Sequence, residues 1–126
     1  MNRVPPHSAE AEKGLLGCLI MKPDLIPNLR ERLKVPDFYM DKHQKLYKAL
    51  LDMSAANDGI NLVSLAEKMK PDISVGYVSG LVDGIPPKTD IGSFLTIIEE
   101  KSKLRDIIGG NITIVLGVFV LSVIPS

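Results

Sequence analysis

The sequence carries no excess of either charge. Fifteen Lys and Arg residues are balanced by fifteen Asp and Glu residues, and the formal net charge over 126 residues is zero. A protein that holds nucleic acid through its phosphates usually shows a strong basic excess, so binding by bulk electrostatics is disfavoured. The most basic stretch, Arg30 to Lys48, sets six Lys/Arg residues against Glu31, Asp37 and Asp41. It reads as a solvated helical face. The chain has one cysteine, Cys18, which excludes an internal disulfide framework. Cys18 sits in the apolar run Leu15-Leu16-Gly17-Cys18-Leu19-Ile20 and reads as a small buried hydrophobe. The start, Met1-Asn2-Arg3-Val4-Pro5-Pro6-His7, has no apolar signal-peptide core. Together these features predict a cytoplasmic protein.

Catalytic machinery is also missing. There is no phosphate-binding loop of the form G-x-x-x-x-G-K-[ST]. The nearest sequence is Gly80-Leu81-Val82-Asp83-Gly84, and Pro86 and Pro87 separate it from Lys88-Thr89. Backbone N–H groups there are not placed to cradle phosphates beside a lysine. No His, Cys, Asp or Glu pair has metal-ligand spacing. His7 lies at the entry, and His43 stands one helical turn before Tyr47, where the two can pack or hydrogen-bond. No nucleophile, base and orienting group can be assembled. The expectation is a non-enzymatic chain with no cofactor and no metal.

What is present is helical periodicity. Pro5 and Pro6 hold the entry extended, Ser8 suits an N-cap, and Glu10 and Glu12 suit the positive end of a helix. Ala11, Leu15, Cys18 and Leu19 recur at helical spacing. Gly14 and Gly17 each cost about 1 kcal/mol of helix propensity against alanine. Either another helix approaches closely there, or the glycines are merely tolerated. A second short helix is predicted from Leu25 to Leu33 and ends at Val35-Pro36-Asp37. Asp41-Lys42-His43-Gln44 has capping-box character and opens a third helix with Leu46, Ala49, Leu50 and Met53 on one face. Asn57-Asp58-Gly59 is a turn. Asn61 caps a fourth helix through Leu62, Leu65, Ala66 and Met69, stopped by Pro71. Ser74 to Val82 forms a short fifth helix. Thr89 or Asp90 caps the longest, Ile91 to Ile108, with Ile91, Phe94, Leu95, Ile98, Leu104 and Ile108 apolar and Glu99 paired with Lys103. The fold class is all-α: a small orthogonal bundle of about five short helices followed by one long helix.

Several of these segments resemble the N-terminal part of DnaB-type replicative DNA helicases. Pro6-His7-Ser8-Ala9-Glu10-Ala11-Glu12 with Leu15-Leu16-Gly17 is similar to the start of that family. So are Asp37-Phe38-Tyr39, His43, Leu46-Tyr47 and Ala49-Leu50. Asn61-Leu62-Val63-Ser64-Leu65-Ala66-Glu67 resembles its "D-L-V-T-L-A-E" stretch, and Ile97-Ile98-Glu99-Glu100-Lys101 with Leu104-Arg105 its "I-V-R-E-K…L-R" helix. The segments follow in order from Val4 to Ile108. The resemblance implies a helical globule (1–88), the first arm of a helical hairpin (89–110), and a role in building the collar of a hexameric ring. It implies helicase subunits and the C-terminal domain of the primase DnaG as partners, DNA only indirectly, and ATP and magnesium only on a separate motor domain. On that reading Ile91, Phe94, Leu95, Ile98, Lys101 and Arg105 form a candidate protein–protein surface.

No charged residue follows Asp106. The resemblance stops after Gly109-Gly110-Asn111, and 111–126 is an apolar tail unrelated to the family. The favoured reading is the accident of a truncated or frame-shifted gene. The alternative is a membrane tail-anchored regulator competing for primase or helicase subunits. The uncharged run Ile107 to Ile124, eighteen residues, spans about 27 Å as a helix, just short of a hydrocarbon core of about 30 Å. Gly109-Gly110-Asn111 interrupts it, which makes a membrane the less expected partner.

Overall fold

Ser8 opens the first helix, α1 (Ala9–Met21), by accepting the Ala11 N–H on its hydroxyl at 3.1 Å. The computed structural model describes residues 5–85 and 89–108. Among them the longer elements are α-helices: α1, α2 (Ile26–Leu29), α3 (Asp41–Ala55), α4 (Leu62–Met69), α5 (Val75–Asp83) and α6 (Ile91–Asp106). The predicted caps hold at Asn61 and Asp90, and Ser74 caps a further helix start. Asn61 and Ser64 cap each other's backbone N–H groups at 2.9 and 3.0 Å. Ser74 accepts the Tyr77 N–H, and Asp90 accepts the Gly92 N–H. The Asn57-Asp58-Gly59 turn closes α3, with Asn57 at φ 62°, a left-handed conformation that asparagine tolerates.

Two local expectations change. The second helix shrinks to one turn, preceded by a 3₁₀ turn at Pro23–Leu25 and followed by another at Val35–Asp37. Pro23 and Pro27 remove N–H donors from this stretch, yet Ile26, Leu29 and Leu33 still reach the core. At α3 the capping box does not form. Asp41 lies inside the helix, Met40 is the N-cap residue without a side-chain bond, and Gln44 donates to the Phe38 carbonyl. An acidic residue does serve this helix start, but it comes from α1: Glu12 accepts the Tyr39 and Met40 N–H groups.

Helix α1 is the hub. Nine of its thirteen residues are buried, as expected of a helix covered on every side. It packs against α3, α5 and α6, while α2 and α4 lie against α3. Leu15, Leu16 and Leu19 meet Leu46, Leu50, Leu65, Val78, Leu81, Leu95 and Ile98 in one continuous core. The two glycines of α1 are close-approach positions. A Cβ on Gly14 would strike the Phe94 ring of α6, and one on Gly17 would strike the Leu81 carbonyl and the Ile85 side chain. Since Leu95 and Ile98 are 4% and 2% exposed, the core continues across residue 88 into α6. The tail 111–126 and the end of the expected arm lie outside the described residues. No helix among the described residues is long and apolar enough to cross a membrane.

The glycine geometry has an opposite-sign test. Gly17→Ala is expected to lower the unfolding free energy by about 1–3 kcal/mol, because backbone rather than a movable side chain blocks the methyl. Gly80→Ala, whose Cβ would meet nothing within 4 Å, is expected to raise it by about 0.5–1 kcal/mol through helix propensity. Urea unfolding of both variants reads the two signs.

Candidate functional site

The expected surface on α6 divides into two parts. Leu95 and Ile98 face inward and belong to the core. Ile91 and Phe94 are half-buried against it, with the Phe94 ring over Gly14. Lys101 is half-exposed. Arg105 is half-buried and points back at its own chain, donating to the Pro6 carbonyl at 2.9 Å and the Asp37 carbonyl at 2.6 Å. Nearby, the Asp37 carboxylate accepts the Ser102 hydroxyl at 2.7 Å and the Lys34 N–H at 2.8 Å. The His7 ring stacks on Tyr39 at 4.2 Å between centroids. This clasp ties the N-terminal segment to the last turns of α6.

The outward face of α6 carries residues that the interface expectation omitted. Leu104 is 42% exposed and Ile108 is 68% exposed. With the partly buried Ile97 and Lys101 they form one stripe at 97, 101, 104 and 108. The 4-3-4 spacing is that of a helix-packing seam. The apolar positions were visible in the sequence; which phase faces α1 was not. Glu99 also departs from expectation. It does not pair with Lys103 along the helix but takes a two-pronged bond from Arg32 at 2.7 and 2.8 Å. That Arg32 bond holds the Glu99 carboxyl below its usual range. Arg32 thus belongs to a tie between the α2–α3 connection and α6, while Arg30 donates to the Leu51 carbonyl; the basic stretch is not wholly a solvated face.

A second constellation is buried. The Glu12 carboxylate accepts the Tyr39 N–H at 2.6 Å, the Met40 N–H at 3.2 Å and lies 2.7 Å from His43 Nδ1. His43 Nε2 lies 2.6 Å from the Tyr77 hydroxyl. Burial pushes the Glu12 carboxyl up, but the bonds from His43, Tyr39 and Met40 and the His43 charge together hold it below its usual range. His43 therefore bridges α1 and α5 rather than pairing with Tyr47. Tyr47 instead donates to the Leu33 carbonyl at 2.7 Å, and burial pushes its hydroxyl up to about 12. His43 is fully buried, so no substrate reaches it. The sequence signals for this cluster were Glu12 inside an apolar helix and His43 one turn before Tyr47. Its third member, Tyr77, carried no signal.

Two concavities open at the surface of the described residues. A groove of about 490 Å³ runs between α1, α5 and the start of α6, lined by Lys13, Tyr77, Gly80, Ile85 and Phe94 among others. A smaller one of about 190 Å³ lies beside Cys18, Thr89 and Asp90. Burial raises the Cys18 thiol above its usual range, which disfavours the reactive thiolate. No cluster among the described residues can hold a metal ion.

Glu12 sets a pH dependence. Its folded-state carboxyl is depressed, so the stability it contributes is present above the ordinary carboxylate range and is lost as pH falls through the folded value. Glu12→Gln removes the charge and leaves donors facing an amide. It is expected to cost about 3 kcal/mol near neutral pH and to flatten the acid limb of the stability curve, measured by thermal unfolding across pH.

Comparison with known proteins agrees with this architecture. Residues 4–100 match the family described as DnaB-like helicase N terminal domain. The chain is 33% identical over 112 residues to the replicative DNA helicase DnaB of Geobacillus stearothermophilus, covering 84% of this chain and 25% of the relative. It is 30% identical over 119 residues to the replicative DNA helicase DnaC of Bacillus subtilis (strain 168), covering 90% of this chain and 26% of that protein. It thus spans about a quarter of the length of these curated relatives. The crystal structure of the N-terminal domain of DnaB helicase from Mycobacterium tuberculosis superposes with a TM-score of 0.77 at 27% identity, over 89% of this chain and 86% of that one. The helicase motor of those relatives has no counterpart in these residues, and the chain belongs to the DnaB-like helicase N-terminal domain family.

Proposed function

We propose that this chain acts in DNA replication as a non-catalytic assembly module of a replicative helicase. It engages helicase subunits through the outward face of α6 and presents a docking platform to the C-terminal domain of primase. The observation that carries the reading is the pair of exposed apolar side chains Leu104 on α6 and Ile108 just past its end, in line with the partly buried Ile97 and Lys101, while Leu95 and Ile98 of the same helix are committed to the core. The stripe is about 16 Å long at 1.5 Å per residue. The stem of Lys101 can cover apolar surface while its ammonium stays in water. Contact with DNA is indirect, since the chain has no net positive charge. ATP and magnesium belong to the motor domain of the relatives, and the setting is cytoplasmic.

A chain with this role neither hydrolyses ATP nor unwinds DNA, and steady ATP turnover by the purified protein would defeat the reading. Sedimentation of the chain mixed with a related full-length helicase is expected to show mixed oligomers. The double variant Leu104→Glu, Ile108→Glu is expected to weaken that association at least tenfold with unchanged thermal stability. Equal association by the variant would exclude this face of α6.

A further inference from the structure

The groove between α1, α5 and α6 is connected to the protein interior by a run of three titratable side chains. Glu12 comes from α1, His43 from α3 and Tyr77 from α5. Glu12 accepts three donors and has no hydrogen to offer, so His43 Nδ1 must carry a proton to fill its 2.7 Å contact. The other ring nitrogen has a choice. Nε2 sits 2.6 Å from the Tyr77 oxygen, and a phenol can donate or accept. Neutral His43 accepts from the hydroxyl. Doubly protonated His43 donates to it. Neither state leaves a buried polar atom of His43 unsatisfied, which is the usual cost of changing the charge of an interior group.

Tyr77 is the partly exposed end of this run and lines the groove. The ionisable groups set around His43 are the Glu12 carboxylate on α1, Tyr77 on α5 and, on its own helix, Lys42, whose ammonium lies 4.1 Å above the Tyr77 ring. The 38–40 connection meets the cluster through backbone N–H groups of Tyr39 and Met40, which carry no charge.

We propose that Glu12, His43 and Tyr77 form a proton-operated switch, in which a second proton on His43 turns the Tyr77 hydroxyl from an inward donor into an inward acceptor and releases its hydrogen toward the groove. The proton enters from solvent and rests on His43 Nε2; no bond to carbon changes. The groove then presents a hydrogen-bond donor in acid and withholds it in base, without a change of fold. Lowering the pH would thereby change which chemical group the groove can hold, favouring an acceptor such as a carbonyl or carboxylate.

The test uses the full chain. Nitrogen NMR of the His43 ring is followed across about pH 5–8, the interval in which histidine ordinarily titrates. In parallel, the tyrosine Raman doublet reports donor or acceptor status, and the Tyr77→Phe spectrum is subtracted to isolate Tyr77 from Tyr39 and Tyr47. The expected result is a His43 Nε2 signal that changes from acceptor to protonated, with a doublet change of the same midpoint. A His43 ring locked in one state throughout overturns the proposal. So does a titrating ring with an unchanged Tyr77 doublet. The His43 reading comes from the wild-type protein alone, so a ring locked in one state overturns the proposal even where Tyr77→Phe is destabilised.

Discussion

The fold depends on the close covering of one helix from every side. Only Glu10, Lys13 and Met21 of helix α1 are exposed, and three other helices are arranged around it. Two glycines set how near they come: Gly14 admits the Phe94 ring and Gly17 admits the carbonyl end of α5. Side chains at either place would hold α5 and α6 away and open voids beside Leu15 and Leu81. Dense packing of this kind tolerates little adjustment. The same covering forces Glu12, the one acidic residue facing inward from α1, to find all its partners within the protein. It does so by capping α3 from outside that helix and by gripping His43.

A single carboxylate thereby fixes three elements. The N–H groups that Glu12 accepts lie just before and at the N-cap of α3, where a helix has unsatisfied donors and a positive dipole end. Anchoring that terminus places Phe38 and Tyr47 against each other, at 4.9 Å between ring centroids, and brings His43 within reach of α5. A polar interaction inside the core thus sets the register of apolar contacts around it.

Helix identity, most caps and the apolar stripes were legible in the sequence because they rest on local spacing: Ser8, Asn61 and Asp90 act where short-range chemistry places them. Partnerships made across the chain were not legible. Arg32 with Glu99 spans 67 positions and Arg105 with Pro6 spans 99, and no periodicity announces either. Glu99 had an equally good local partner in Lys103, and His43 had one in Tyr47; in both cases tertiary packing selected another. The phase of α6 was the largest ambiguity. Its apolar residues occupy more than one face, so the sequence alone did not separate Leu95 and Ile98, which are buried, from Leu104 and Ile108, which are exposed. That separation decides which side chains remain for a partner.

The Arg105 clasp has a mechanical consequence. It joins Pro6, near one end of the described fold, to the last turn of α6 at the other end, so the backbone path between them is closed into a ring by one hydrogen bond, and a second bond from the same guanidinium ties Asp37 to that closure. A load applied to α6 from outside does not reach the apolar core first. It falls on Arg105, the Asp37 carbonyl and the segment ahead of α1. Those groups are polar and half-buried, so water can take their place when they part. The margin of the domain is therefore held by exchangeable polar bonds, and the seating of Leu95 and Ile98 by apolar burial.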